Sequence, residues 1–393
     1  MAGGGQDGGG REPVVVAEGL DNPRQLNWGS EDTLLVAEAG SGGDTCVTPP
    51  GPDSAPLCAG LTGGITAIEE SDDRNATAKR VVDGLFSLAG ADGSFAIGSN
   101  GADATDVPGE YVVAEGNIPF FPLPPEITGA PGGETLAHLL VVGTDGEQFV
   151  LPYTDLNAAE EELNPDGAQI ESNPYAVLVV DPTPHGPVAA DGYALVADAA
   201  ANAVWKIEPD FGAVPEDCVD EECIPPFDLT VFAAYPTPPD DEVTPEFVPT
   251  SLATDRKGNI YVGGLGSEQP GAAQVVKYTA DGEEIRSWDG FTAITGLAVD
   301  ESGEHVYVSQ LFGSDPEAPP TGAPGNVLEV DVESGEQSTV DVPFPAGLAV
   351  DDDGNVFVAA YSVAPAEGVA ESPETPAFPG GQVWKIRFDG HDD

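Results

Sequence analysis

Positive charge is what this chain has least of: 12 lysines and arginines stand against 69 aspartates and glutamates in 393 residues, a formal net charge of -57. A polyanion gains nothing by displacing the counterions of nucleic acid or of an anionic membrane surface, so both are poor partners; no nucleic acid and no membrane span are expected. Histidine is scarce too, and His138, His185, His305 and His391 are scattered rather than clustered. No G-x-S-x-G elbow, HExxH helix, phosphate-cradling loop or dinucleotide fingerprint occurs, so nothing in the chain demands catalysis. No run approaches the ~18 uninterrupted apolar residues of a membrane helix. No segment keeps a helical apolar period long enough for a second domain. The start, MAGGGQDGGG, has neither a basic nor an apolar leader; an export signal is expected to have been removed, leaving residues 1–12 as a glycine-rich tether to a single domain over 13–393.

Four cysteines fall into two local pairs, Cys46 with Cys58 and Cys218 with Cys223, each in a loop rich in proline, glycine and aspartate. Their spacing matches no zinc pattern and no histidine lies near them, so disulfides are expected. Disulfides place the protein outside the cytoplasm, secreted or at the cell surface. Disorder is the first reading of so high a charge, but the acids sit in turns between regular apolar runs. They read as an acidic shell of the halophile type, whose self-repulsion is screened within a few ångströms in concentrated salt. The presence of only five lysines accords with that reading.

What the chain does have is a repeat. An apolar strand, an Asp/Gly turn and a second apolar strand recur in GLAVDESGEHVYVSQ at 296–310, GLAVDDDGNVFVAA at 347–360 and SLATDRKGNIYVGG at 251–264. Looser copies are RQLNWGSEDTLLVAE at 24–38, ADATDVPGEYVVAE at 102–115 and YAVLVVDP to YALVAD within 175–198. Each is followed by a third strand, such as NAVWKIEPD from Asn202 or QVWKIRFDG from Gln382, and four copies by a fourth. Short strands in units of roughly 45 residues predict an all-β, six-bladed β-propeller. The last unit lacks a fourth strand, while PVVVAE at 13–18 is an orphan; pairing the two closes the ring and removes both sheet edges. TDLNAAEEELNPDG, near 154–167, reads as at most a short helical turn.

Blade geometry puts the tight turns DESGE and DDDGN on the bottom face and the long loops 39–63, 116–135, 265–273, 311–325 and 361–381 on the top. Loop elaboration on a rigid scaffold is where binding resides. One such loop, NIPFFPLPPEI from Asn117, carries Phe120 and Phe121, which either lid their own blade or form an exposed patch. Arg24, Asn173, Tyr175, Thr250 and Thr295 stand where innermost strands begin and are candidates to line the channel mouth. Glu38, Glu115 and Asp198 end the second strands of the first three blades, so three carboxylates could meet there and hold a divalent cation such as calcium. The alternative is that an acid after Val-Ala is the turn residue of this strand ending. DDDGN at 351–355 resembles part of a calcium loop, lacks its glutamate, and reads as a turn.

GLDNPRQLNWGSEDTLLVAEAGSGG at 19–43, the cysteine loop ending in CAGLTGGITAI, ESNPYAVLVV at 171–180, VADAAANAVWKI at 196–207 and VPTSLATDRKGNIYVGGL at 248–265 together resemble the ScyD/ScyE family of exported, NHL-like six-bladed propellers. The likeness covers nearly the whole chain and departs from the family pattern at GSNGADATD, 98–106. It implies an extracytoplasmic protein whose biochemical role is undefined. The expectation is a monomeric, non-catalytic binding or scaffold protein that takes a small molecule, glycan or protein on its top face. The alternative is a divalent-metal-dependent hydrolase of the lactonase type, gluconolactonase-like, with its site at the channel mouth.

Overall fold

The computed structural model describes residues 13–29, 33–49, 54–69, 76–118, 122–180, 192–209, 226–238, 244–312, 325–371 and 377–388. Cys218, Cys223, Phe120 and Phe121 lie outside them. After β1 (Val14–Leu20), the chain lays down β2 (Pro23–Trp28), β3 (Thr33–Glu38), β4 (Thr45–Val47), β5 (Leu57–Glu69) and β6 (Thr77–Gly90). The next group is β7 (Ile97–Ala104), β8 (Glu110–Glu115), a short helix α1 (Pro125–Thr128), β9 (His138–Gly143), β10 (Phe149–Asp155) and a second helix α2 (Leu156–Leu163). Three further groups of four follow: β11 (Pro174–Val180), β12 (Tyr193–Asp198), β13 (Ala203–Pro209) and β14 (Phe227–Ala234); β15 (Pro249–Thr254), β16 (Ile260–Gly264), β17 (Ala273–Tyr278) and β18 (Glu284–Phe291); then β19 (Ile294–Val299), β20 (His305–Gln310), β21 (Asn326–Asp331) and β22 (Gln337–Asp341). The chain ends with β23 (Leu348–Val350), β24 (Val356–Ala360) and β25 (Gly381–Ile386). The fold is all-β, and every pairing between these strands is antiparallel.

Each of the three groups from β11 to β22 is a four-stranded meander. The Asp/Gly turns act as their residue types dictate. Asp351 Oδ1 accepts from the Asp353 and Asn355 amides, and Gly354 turns the chain at φ 74°. The calcium-loop resemblance of DDDGN is thus a turn. β1 fills the outer position of the last sheet, pairing Val15 with Trp384 and Ala17 with Val383.

The first seven residues of β5 and the end of β6 run beyond the β3 pairing, and Ser87 and Leu88 of β6 pair with Gly98 and Ile97 of β7. The first two groups, read from the sequence as separate blades, therefore share one nine-stranded sheet. That extension carries the Cys46–Cys58 disulfide, which joins β4 to β5. It has its own apolar core of Ala59, Phe86, Leu88, Ile127 and Ala130. α2 is longer than the single turn expected: the Asp155 carboxylate caps its start on the Ala158 amide, and Asn164 ends it in a left-handed conformation.

The core lies between neighbouring groups. Alternating residues of one group meet those of the next, as Leu195 and Val204 meet Leu252 and Val262, and Tyr261 and Val275 meet Leu297 and Val308. The last group packs on the first in the same way, with Phe357 and Val383 against Leu26 and Leu34. The innermost strands touch in succession, β2 with β7, β7 with β11, β11 with β15, β15 with β19, β19 with β23 and β23 with β2. Trp205, Tyr261, Tyr307 and Phe357 are fully buried; truncating one such ring to alanine typically costs about 3–5 kcal/mol.

Candidate functional site

Arg24 lies on β2, which touches both β7 and β23. Its side chain is 8% exposed. Nη1 donates to the Ser362 carbonyl beyond β24, and Nη2 to the Ala96 carbonyl before β7. The guanidinium is therefore held from both sides by main-chain oxygens, and no carboxylate pairs with it among the described residues. Burial pushes Arg24 below its ordinary value, against the opposing influence of Tyr175, yet a guanidinium stays charged at any neutral pH. Tyr175 approaches from β11, where burial pushes its phenol up and the Arg24 charge opposes that rise.

The two carbonyls that hold Arg24 adjoin aromatic residues in a costly conformation. Phe95 and Tyr361 have φ of 52° and 51°, a left-handed region that bulky side chains rarely adopt. Phe95 is 67% exposed. Tyr361 stacks on Phe378 with centroids 6.2 Å apart, and Phe378 lies 5.5 Å from Phe344. An aromatic residue thus precedes each of the two residues whose carbonyls hold Arg24.

The other residues expected at the mouth bind protein groups. Thr250 Oγ1 donates to the Ile294 carbonyl at 2.7 Å, and Thr295 Oγ1 to the Pro345 carbonyl at 2.8 Å, each fastening one innermost strand to the next. Asn173 accepts from the Asn117 amide at 3.1 Å.

The three carboxylates are buried but serve their own groups. Glu38 pairs with Arg80 at 2.9 Å and accepts from the Asp21 amide and the Thr66 hydroxyl. Asp198 receives the Ser172 hydroxyl, the Asn173 and Ala201 amides and the Trp205 indole. Glu115 has one contact, from Ser99 Oγ at 3.3 Å to Oε2, while Oε1 has no partner. Desolvation pushes the Glu115 carboxyl well above its ordinary value, against the Ser99 hydrogen bond that favours its charge. Among the described residues no three His, Cys, Asp or Glu side chains converge to hold a metal ion, and three acids each turned to partners of their own do not make a shared ligand set. His138 and His305 are occupied by the Leu136 carbonyl and the Asp300 carboxylate.

The next residue along β2 after Arg24 reaches across to two other groups. Gln25 Nε2 donates to the Thr250 carbonyl at 3.1 Å and to the Thr295 carbonyl at 2.8 Å, from the first group to the fourth and fifth. Beneath it lies a cavity of about 540 Å³ at the Asp/Gly-turn end, ringed by Leu26, Leu178, Leu252, Leu297 and Leu348. In the next layer three strands present Ala253, Ala298 and Ala349, which pair with Tyr261, Tyr307 and Phe357. The corresponding residues of β2 and β7 are Asn27 and Asp103, which pair with Leu35 and Val112. Sequence reading placed function at the long loops and passed over this end. Aligning the repeats by their G-L-A core would have revealed two adjacent polar departures.

No protein-family model and no curated protein matches the sequence. Among solved structures, a luciferin-regenerating enzyme is similar at 12% identity over 96% of this chain and 96% of its own, with a TM-score of 0.44. The hydrazine synthase of Kuenenia stuttgartiensis is similar at 11% identity over 91% of this chain and 80% of its own, with a TM-score of 0.42. Both likenesses are too distant to say what this chain does.

Proposed function

We propose that the chain is an exported, non-catalytic binding protein, a six-bladed propeller of ScyD/ScyE type, that takes a small aromatic carboxylate at the mouth marked by Arg24. The observation that carries this reading is a buried guanidinium that no carboxylate among the described residues pairs with, in a chain of net charge -57. A buried charge is costly unless paired and hydrogen-bonded, and its planar fork matches a carboxylate in geometry. Phe95 and Tyr361 offer flat apolar surface beside it. Closure of the ring is supported by the β1–β25 pairing and by the packing of the last group on the first. Life outside the cytoplasm is supported by the disulfide, and a saline setting by the acidic shell.

Calorimetric titration of benzoate and of the neutral benzyl alcohol tests the reading. Benzoate is expected to bind at least about tenfold more tightly, Arg24→Met to remove that preference, and Phe95→Ala, on an exposed side chain, to weaken both ligands without unfolding the protein. Equal affinities for the two would refute it. Calcium-dependent lactone hydrolysis that fell in Glu38→Gln or Asp198→Asn would replace it with the hydrolase reading.

A further inference from the structure

The cavity below Gln25 is unlike the mouth in chemistry. Its wall is mainly aliphatic, and the donors that interrupt it are engaged by protein oxygens: the Thr105 hydroxyl by Glu110, the Thr254 hydroxyl by the Asp255 carbonyl and the Trp28 indole by the Val350 carbonyl. Asn27 Nδ2 is engaged with the Ala102 and Val177 carbonyls at 2.8 and 3.1 Å, which leaves Oδ1 without a protein donor among the described residues. Asp103 takes one amide on each oxygen, Ala104 on Oδ1 and Val179 on Oδ2, both at 2.8 Å. A carboxylate has about four lone-pair positions, so two remain. Neither residue is demanded by the repeat, because Ala253, Ala298 and Ala349 fill the same layer elsewhere. Trp28 stands at the rim, shared with a second cavity of about 870 Å³ whose wall includes Asp255, Glu301 and Asp351.

We propose that this cavity binds a small, mainly aliphatic organic cation, its ammonium group held by Asp103 and Asn27 Oδ1 and its hydrocarbon body within the leucine ring. The volume falls in the range of ordinary small-molecule sites, roughly 300–1,000 Å³. A wall that offers acceptors and an acid selects a ligand with donors and positive charge, and the acidic envelope draws such a ligand in. The site lies on the opposite side of Gln25 from Arg24 and stands or falls independently of the anion site.

The test uses the full chain with cyclohexylammonium and its neutral counterpart cyclohexanol, in about 1 M potassium chloride so that surface attraction is screened. Near pH 8, cyclohexylammonium is expected to bind at least about tenfold more tightly than cyclohexanol. Asp103→Asn is expected to bring the two within about twofold, and Ala298→Phe, which fills the cavity and leaves both polar groups in place, to weaken both at least about tenfold. Should Asp103→Asn fail to fold, the wild-type protein near pH 5.5 answers the same question. Asp103 is raised to about 7 by desolvation, opposed by its two amide bonds; the other ionisable side chain in the wall among the described residues is the exposed Asp106. Ammonium affinity is then expected to fall by roughly thirtyfold while cyclohexanol affinity holds. Equal binding of the two probes, a preference that survives Asp103→Asn or acid, or no saturable binding of either, overturns the proposal.

Discussion

Replacing Asp103 by asparagine should change how stability depends on pH, by an amount the structure sets. Desolvation lifts this carboxyl from 3.8 to about 7, against the two amides that stabilise its charge. The native state therefore holds the proton more tightly than the unfolded chain. Its stabilising contribution is complete below about pH 4 and is lost as pH rises through about 7. A shift of about three units corresponds to about 4 kcal/mol. Asparagine does not titrate, so the difference in unfolding free energy, variant minus wild type, should climb by up to about 4 kcal/mol from pH 4 to pH 8. A constant offset of about 1–3 kcal/mol against the variant accompanies it, since one of the two amides then faces an NH2 group. Urea unfolding of both proteins at matched pH, in concentrated potassium chloride, measures this directly, and the subtraction removes the remaining acids. A difference that is flat across the range, or falls with pH, would refute the placement of Asp103 in a dry wall.

Gln25→Ala leaves the Thr250 and Thr295 carbonyls without their donor and should cost about 1–3 kcal/mol by denaturant titration; an unchanged midpoint would mean these bonds are not made. Removing the Cys46–Cys58 bond by Cys46→Ser with Cys58→Ser should lower stability by about 2–4 kcal/mol, read as faster amide exchange in residues 57–60. Exchange equal to wild type would show that the core around Phe86 and Ile127 suffices. The unfolding midpoint should rise between dilute buffer and molar potassium chloride, as the repulsion of a -57 chain is screened. A midpoint indifferent to salt contradicts the halophile reading.

The strand groups were legible because their signals are local: alternation, Asp/Gly turns and a G-L-A core repeated along the chain. The pairing of PVVVAE with QVWKIRF was legible too, because an orphan strand and a vacant edge leave few other arrangements. The joining of the first two groups was not, since it depends on how far β5 and β6 overrun their sheet. Arg24 and Tyr175 were named from register alone, and the structure brings them within electrostatic reach of each other. Thr250 and Thr295 could not be separated from them, because whether a hydroxyl faces a ligand or a neighbouring carbonyl is decided across strands some 45 residues apart. The three acids shared a position in the repeat and diverged in their partners: Arg80, Ser172 and Trp205 lie in other strands or loops and leave no mark at the Val-Ala-acid motif.

We propose that Gln25 separates an anion site at Arg24 from a cation site at Asp103. One calorimetric experiment decides it: benzoate and cyclohexylammonium titrated singly and then each in the presence of the other. Independent, additive binding is predicted, with Arg24→Met abolishing only the first and Asp103→Asn only the second. Mutual displacement, or loss of both ligands in either variant, would contradict it.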